Sequence, residues 1–322
     1  MSTILLTGAG GTALPDLIRH IKGLGHRVLT ADMNPHAPGL YLGDGGIVVP
    51  PATDLEFGDV FYKLVKDHAV DVLIPLVDEE LRSGLAVQAY TKVIVPDGRF
   101  TQTCLDKWAL MHALELHRIK VPITTLFDGR FSPYYPTIIK PRTGRGSRGI
   151  HRFDYDSHLL QGLIDKKIRY SSDFLAQEYI EGTEYTVSVI CDQNNTVHAV
   201  VPKEIILKEG QTKLAVTKRN DKIDSLCRRI AEVMHPCGPF NVQLRLRDGE
   251  PYVFEINPRF SGTVNLTIAA GCDEVGGLIE LAMGRPYTFC EWQEGVVLVR
   301  QTSDAVMSEE DFNNRAPRRW DA

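Results

Sequence analysis

The strongest constraint in this sequence is a regular alternation of short apolar runs with amphipathic segments before residue 97. The apolar runs are predicted strands at residues 3–7, 28–32, 47–49, 72–75 and 93–96. Apolar residues with helical spacing follow the first run and recur near 56–68 and 79–90. Apolar strands that alternate with such helices are typical of a parallel sheet covered on both faces. We therefore predict a doubly wound α/β domain over residues 1–97.

After this region the pattern changes to strands and hairpins, which predicts an α+β organisation. A connecting helix is predicted at 101–119, with Thr101 or Thr103 as its N-cap. Further strands are predicted at 137–141, 149–153, 174–180, 185–190, 197–207, 241–247 and 251–257, and helices near 156–168 and 222–234. The polar residues 301–322 are expected to form an exposed tail.

Composition limits the class of protein and of partner. A chain of 322 residues exceeds what one hydrophobic core usually organises, so two or three domains are expected. The net charge of −5 argues against nucleic acid and anionic lipid as partners, so any phosphate must be held locally. The six cysteines form no C-x-x-C pair, and no signal peptide or membrane span is evident. These features predict a cytoplasmic protein with no membrane partner.

A glycine-rich turn follows the first predicted strand. Gly8, Gly10 and Ala13 have the spacing of a dinucleotide fingerprint, and Asp32 ends the next strand. Such turns also occur wherever the backbone of a doubly wound domain reverses tightly. A nicotinamide-dependent oxidoreductase is therefore one alternative for this chain.

A second glycine-rich segment, residues 138–150, has the chemistry of a phosphate site. Its strand delivers Lys140, and the turn that follows is rich in glycine, hydroxyl and guanidinium groups: Gly144, Gly146, Gly149, Ser147, Arg142, Arg145 and Arg148. Glycines let main-chain N–H groups approach an anion, and a lysine adds fixed positive charge. The spacing differs from the G-x-x-x-x-G-K-[ST] pattern of P-loop proteins. A flexible basic surface loop is the alternative interpretation.

A predicted hairpin around Asp248-Gly249 carries oxygen-bearing side chains. Glu255 and Asn257 are two residues apart on one strand, so they share a face where they could bind a hard cation such as Mg²⁺. With a two-residue loop, Gln243 would oppose Phe254 and point away; an odd loop or a bulge would pair it with Glu255. We expect the odd loop. Polar positions on a solvated sheet face are the alternative.

The segment at 177–184, QEYIEGTE, ends a strand at the junction of two regions. An extended backbone can offer a carbonyl and an N–H group to the edge of a purine, and Glu184 could accept from ribose hydroxyls. Glutamates near a turn are also common on protein surfaces, so this stretch is informative only together with the other segments.

In this order and spacing, Lys107, Lys140 with its glycine-rich loop, QEYIEGTE, and Gln243 with Glu255-x-Asn257-x-Arg259 resemble the ATP-grasp superfamily over residues 1–285. The segment NVQLRLRDGEPYVFEINPRFSG looks most like the ATP-grasp portion of carbamoyl-phosphate synthase large subunits. The resemblance implies a pre-ATP-grasp domain and a two-lobed ATP-grasp fold, with these parts: N-terminal domain 1–97, connecting helices 98–120, small lobe with a glycine-rich lid 121–180, large lobe with the metal site 181–300, and tail 301–322.

The resemblance also implies roles for individual residues. Lys107 and Lys140 would contact ATP phosphates, and Lys140 and Arg259 would act in catalysis, Arg259 facing an acyl phosphate. The remaining implied contacts are the lid (Gly144, Gly146, Ser147, Gly149), the adenine site (Gln177, Glu178, Ile180), the ribose ligand (Glu184) and the Mg²⁺ ligands (Gln243, Glu255, Asn257). Two positions depart from the family pattern, because Gln177 replaces an acid and Lys107 replaces an arginine common in carbamoyl-phosphate synthase.

These features predict an ATP- and Mg²⁺-dependent ligase that joins a carboxylate, or bicarbonate, to an amine or a thiol through an acyl phosphate. The expected partners are small-molecule substrates, and a homodimer is compatible with this interpretation. One ATP unit is too few for complete carbamoyl-phosphate synthesis. Asp78, Glu79 and Glu80 either hold an amine or simply begin a helix. A non-catalytic ATP-binding module is the third alternative.

Overall fold

A computed structural model describes residues 1–130, 134–144, 146, 148–165 and 167–321. One parallel sheet and two antiparallel sheets organise these residues. The predicted combination of an α/β domain with an α+β region is therefore confirmed.

The N-terminal domain has a parallel sheet with helices on both faces. Its elements are β1 (Thr3–Thr7), α1 (Leu14–Gly23), β2 (Arg27–Asp32), β3 (Gly45–Val48), α2 (Phe57–Asp67), β4 (Val72–Ile74), α3 (Leu81–Ala86) and β5 (Lys92–Val93). Ile4 and Leu6 pack on the α1 side of the sheet, whereas Leu5 packs with α2, as alternation along a strand requires. The helix predicted at 79–90 is shorter, because Asp78–Glu80 form a 3₁₀ turn before α3.

The connecting segment contains two helices within the range 98–120, α4 (Gly98–Leu105) and α5 (Lys107–Leu116), whereas the local pattern had predicted a single helix over 101–119. Asp106 lies between them with an extended backbone, and its carboxylate accepts from the N–H groups of Trp108 and Ala109. Asp97 caps α4 in the same way, so neither Thr101 nor Thr103 is an N-cap. The break makes Lys107 the first residue of α5.

The small lobe is a four-stranded antiparallel sheet in the order β6-β9-β7-β8. Its elements are β6 (Thr124–Leu126), β7 (Thr137–Pro141), β8 (His151–Phe153), α6 (Asp156–Ile164) and β9 (Phe174–Glu178). Ile139, Phe153 and Leu159 are buried together between this sheet and α6. The neighbours β7 and β9 present their ends to the large lobe.

The large lobe is a six-stranded antiparallel sheet in the order β14-β13-β10-β11-β12-β15. Its elements are β10 (Thr183–Cys191), β11 (Val197–Glu209), β12 (Gln211–Thr217), α7 (Asp221–Met234), β13 (Phe240–Arg247), β14 (Glu250–Asn257), α8 (Val264–Ala269), α9 (Glu274–Ala282) and β15 (Val297–Val299). Val187, Val242 and Ile256 face α7 in the core, so the alternate residues of the same strands form the opposite, polar face. The strands β12 and β15 had not been predicted.

Residues beyond β15 return to the N-terminal domain instead of forming only the expected exposed tail. They contain α10 (Glu309–Asn314) and β16 (Arg318–Arg319), and β16 pairs in parallel with β3 as the edge strand of the first sheet. The Phe312 ring stacks on Tyr41 with 5.0 Å between centroids. Within the described ranges, no helix combines the length and apolarity needed to cross a membrane.

Candidate functional site

A cleft of about 810 Å³ opens where the N-terminal domain and the two antiparallel sheets meet. Its volume is within the range of small-molecule sites. Of the residues implicated by sequence, the following line it: Lys107, Lys140, Gly144, Gly146, Gln177, Glu178, Ile180, Glu184, Gln243, Glu255, Asn257 and Arg259. Gly149 packs beside the Pro141 ring instead, and Ser147 lies outside the described residues. Residues distant in sequence are thus brought to one cavity.

The hairpin of β13 and β14 brings Gln243 and Glu255 opposite each other. The expected odd loop was wrong, because Arg247 pairs with Glu250 and leaves a two-residue turn. Both turn residues, Asp248-Gly249, have positive φ, which suits the twist of a hairpin. A β-bulge at Phe254 corrects the register instead, since Leu244 pairs with Val253 and Gln243 with Glu255. The bulge was the other route considered from the sequence.

Oxygen-bearing side chains from this hairpin could hold a hard cation. Glu255 and Asn257 share the cleft face with Gln243. The Asn257 Nδ2 group donates to Asn241 Oδ1 at 3.2 Å, so this hydrogen bond does not use the Asn257 Oδ1 atom. Carboxylate and amide oxygens suit Mg²⁺. In the described part of the chain, no group of three or more His, Cys, Asp or Glu residues is placed to bind a metal. A cation here would therefore depend on one carboxylate and two amides.

Lys140 is a buried cation at the end of β7. Its ammonium donates to Gln177 Oε1 at 2.8 Å and to the Phe254 carbonyl at 3.2 Å. Burial lowers the pKa of Lys140 to about 8; the Glu255 carboxylate opposes the shift, and Lys107 adds to it. Both of its hydrogen-bond partners are neutral, so the ammonium can attract an anion entering the cleft.

Lys107 connects the helix α5 to the glycine-rich loop. Its ammonium donates to the Gly144 carbonyl at 2.6 Å and lies 3.7 Å from Glu255 Oε1. Gly144 and Gly146 have φ of 109° and 69°, and a Cβ at either position would meet open space. These are backbone conformations that favour glycine. Gly144 is thus held close to Lys107, and neither glycine packs into a core.

The end of β9 carries the side chains predicted to surround a purine. The Gln177 carboxamide is buried, and it accepts from Lys140 and donates to Thr124 Oγ1 at 3.0 Å. The Glu178 carboxylate binds Arg247 at 2.6 Å, and the Glu178 N–H donates to the Ile123 carbonyl. Side chains here therefore hold the strand in place, and contacts to a ligand would come from the main chain.

Glu184 makes two ion pairs inside the cleft. Lys208 Nζ lies 2.7 Å from one carboxylate oxygen, and Arg245 Nη2 lies 2.6 Å from the other. Sequence reasoning missed both cations. Arg245 could have been found by alternation, because it is two residues from Gln243 on the same strand. Lys208 lies beyond the predicted end of its strand, so no pattern identified it.

Arg259 follows β14 and forms an ion pair with Asp78 of the N-terminal domain. Burial by itself would lower the pKa of Arg259, but the Asp78 and Glu255 carboxylates raise it above its ordinary value. Asp78 therefore neutralises the buried guanidinium. Neither it nor its neighbours Glu79 and Glu80 line the cleft, in contrast to one expectation from the sequence.

The glycine-rich turn after β1 lines the same cleft. Gly8 has φ of 68°, and a Cβ there would lie 2.7 Å from Val77 Cγ2. The Gly10 N–H donates to Asp32 Oδ2 at 2.8 Å, and the Asn34 N–H donates to the other oxygen. The carboxylate that would have to bind a ribose in a nicotinamide enzyme is instead used to close the turn.

Comparisons with known proteins agree with this arrangement. Residues 104–263 match the ATP-grasp domain family, and residues 4–90 match the family described as PylC-like, N-terminal domain. The D-alanine–D-alanine ligase of Petrotoga mobilis is 30% identical over 48% of this chain and 58% of its own length. The carbamoyl phosphate synthase large chain of Methanosarcina barkeri is 24% identical over 40% of this chain and 35% of its own length.

The fold also matches solved structures. The biotin carboxylase domain of Hydrogenobacter thermophilus 2-oxoglutarate carboxylase, in complex with MgADP, ADP and bicarbonate, superposes with a TM-score of 0.72 at 16% identity. The match covers 90% of this chain and 72% of that one. The chain spans less than two thirds of the curated relatives it matches.

Proposed function

We propose that this chain is an ATP-dependent ligase that joins a carboxylate to an amine through an acyl phosphate, because residues 104–263 match the ATP-grasp domain family. One observation carries the proposal. A single cleft gathers the oxygen donors Gln243, Glu255 and Asn257 with the cations Lys107 and Lys140. Oxygen ligands for a hard cation beside fixed positive charge are what binding and transfer of a phosphoryl group require.

The nucleotide would lie between the small lobe and the polar face of the large sheet. Lys107 and Lys140 would neutralise its phosphates, and the main chain at Glu178 and Ile180 would meet the adenine edge. When the Glu184 carboxylate accepts a hydrogen bond from a ribose hydroxyl, its ion pair with Lys208 would either break or persist beside the new bond. The glycines 144 and 146 would let the loop close over the triphosphate, which would keep water from a reactive intermediate.

Gln243, Glu255 and Asn257 would hold Mg²⁺, which stabilises charge on transferring phosphate oxygens when it is bound. Arg259 would orient the substrate carboxylate beside the γ-phosphate. In the first step a carboxylate oxygen attacks the γ-phosphorus and ADP leaves, which forms the acyl phosphate. In the second step the amine attacks the acyl carbon and inorganic phosphate leaves. Lys140 and Arg259 would stabilise the negative charge in both steps.

The choice of a ligase is supported by what the similar proteins are named for. They include a D-alanine–D-alanine ligase and a carbamoyl phosphate synthase large chain. Synthesis of carbamoyl phosphate by this chain is not proposed, because the sequence carries one set of ATP-site residues. The acid and the amine are therefore proposed by class only.

The test is a screen for ADP and phosphate release with Mg-ATP and pairs of carboxylates and amines, followed by mass spectrometry of the products. We expect release that requires both substrates, and a product whose mass equals the two substrates minus water. ATP binding without release across a broad panel would support a non-catalytic module. Tight binding of a nicotinamide cofactor, with no effect of Mg-ATP, would contradict the proposal.

A further inference from the structure

Arg300, like Lys140, differs from most of the cations that line the cleft, because its hydrogen-bond acceptors are neutral. Four of those cations have a carboxylate partner: Lys107 with Glu255, Lys208 with Glu184, Arg245 with Glu184, and Arg259 with Asp78. Arg300 instead donates to three neutral oxygens, at Thr212 (2.9 Å), Thr12 (2.7 Å) and Gly262 (2.6 Å). Within the described part of the chain, no carboxylate forms an ion pair with it.

This arrangement leaves the charge of Arg300 uncompensated. The side chain is about half-buried, and burial lowers its pKa, while Asp16 opposes the shift from a distance. A guanidinium carries five N–H groups, so those not used in the three bonds remain for a ligand. Charges withdrawn from water are normally paired, so an anion that enters the cleft would be a suitable partner for this guanidinium.

The position of Arg300 relates it to the second substrate of the proposed ligase. It follows β15 and contacts Thr12, in the glycine-rich turn of the N-terminal domain, whereas the small lobe lines the other end of the cleft. Its bond to Gly262 places it in contact with the loop that carries Arg259. Gly262 and Arg259 are three residues apart, a span of at most about 11 Å between their backbones, so Arg300 and Arg259 line neighbouring parts of the cleft.

We infer that Arg300 binds an anionic group, a carboxylate or a phosphate, on the amine substrate. The inference rests on the proposed function and specifies it: the amine acceptor is a small molecule that keeps a free anionic group in the product. Thr12 orients the guanidinium, and the loop at Gly262 links this anchor to Arg259. A neutral amine of the same size would lack the anchor.

The test compares matched pairs of acceptors that differ in charge: glycine with glycinamide, L-alanine with L-alaninamide, and phosphoethanolamine with ethanolamine. With the best acid from the screen, the wild type should show at least tenfold higher kcat/KM for the anionic member of one pair. A preference within the amino-acid pairs would identify the anionic group as a carboxylate, and a preference within the phosphoethanolamine pair would identify it as a phosphate. Equal use of the neutral members by the wild type would overturn the inference, whatever any variant does.

The variant Arg300→Met should reduce this preference to less than twofold and leave the KM for ATP within twofold, and Arg300→Lys should be intermediate. Arg228→Met, at an exposed ion pair with Asp224 on α7, is the matched control and should keep the preference. A folded Arg300→Met protein that retains the preference would overturn the inference.

A binding measurement separates this inference from the proposed function. The MgADP-loaded protein is titrated calorimetrically with each probe, which requires no turnover. Tighter binding of the anionic member, lost in Arg300→Met, supports the anchor, and equal binding of both members contradicts it. If the anionic probes bind but no acid–amine pair causes ADP release, the proposed ligase function is contradicted, whereas the inference about Arg300 is not.

Discussion

The guanidinium of Arg259 binds the carboxylate of Asp78, although the two residues are 181 positions apart in the chain. The ion pair joins the loop after β14 to the 3₁₀ turn after β4. It therefore connects the large lobe to the N-terminal domain and sets the direction in which the guanidinium of Arg259 faces the cleft.

We predict that Asp78→Asn lowers both stability and turnover. Removing one partner of a largely buried ion pair leaves an uncompensated charge, so the free energy of unfolding should fall by roughly 2–4 kcal/mol. The kcat for ADP release should fall more than the affinity for ATP, because Arg259 loses its orientation. Chemical denaturation and steady-state kinetics measure the two effects. Asp67→Asn, at an exposed carboxylate ending α2, should change neither. An unchanged kcat in Asp78→Asn would show that the ion pair is only structural.

We predict that Glu255→Ala abolishes ATP turnover, and that Glu255→Gln does so nearly as completely. Without this carboxylate, Gln243 and Asn257 supply no charge to a divalent cation, and kcat should fall by at least about a hundredfold. Glu250→Gln removes a carboxylate from the same strand, at a surface pair with Lys120 and Lys222, and should retain normal turnover. Coupled-enzyme assays at saturating Mg²⁺ measure the difference. Substantial turnover in Glu255→Ala would place the metal elsewhere.

We predict that ATP affinity decreases as the pH rises through about 8. Lys140 has a pKa lowered to about 8 by burial, so it is charged below this pH and loses its attraction for phosphate above it. The folded chain releases the Lys140 proton at a lower pH than the unfolded chain, whose lysines titrate near pH 10.4. The contribution of Lys140 to the free energy of unfolding therefore rises as the pH increases from about 8 to about 10.4. Affinity and stability should therefore change in opposite directions.

Titration of ATP binding between pH 6.5 and 9.5 tests this prediction. In Lys140→Met the affinity should be lower and nearly independent of pH. Lys203 also has a pKa lowered to about 8 by burial, but it is fully buried beside Ser188 and Thr263 and does not itself line the cleft. Lys203→Met should therefore keep the pH dependence of binding. The same pH profile in Lys140→Met and wild type would assign the titration to another group.

We predict that Gly182→Ala destabilises the junction of the two lobes. Gly182 has φ of 137°, and a Cβ there would lie 1.8 Å from the Leu246 carbonyl oxygen. Gly210→Ala is the matched control, because its φ is also positive and its Cβ would meet open space. The control should lose about 1–2 kcal/mol from backbone strain, and Gly182→Ala should lose clearly more. Thermal and chemical unfolding compare the two variants; equal losses would mean that the main chain moves freely at Gly182.

Local patterns in the sequence predicted many elements well. The strand Thr137–Pro141 and the helix α7 agree with their predicted positions to within a residue. The break at Asp106 was missed because helical spacing continues through it, and because the bidentate pair of Asp106 with Arg142 joins residues 36 positions apart. Alternation alone also could not distinguish a longer turn from the bulge at Phe254.

What the sequence by itself determined is the order of most of the elements and the chemical type of many side chains in the cleft, because apolar period and residue identity are local properties. Which groups neutralise one another was decided only by the tertiary structure. The pairs Arg259–Asp78 and Lys208–Glu184, and the neutral surroundings of Arg300, depend on packing between units distant in the chain. Coulomb attraction and desolvation both vary with separation and burial, and neither quantity can be read from spacing along the sequence.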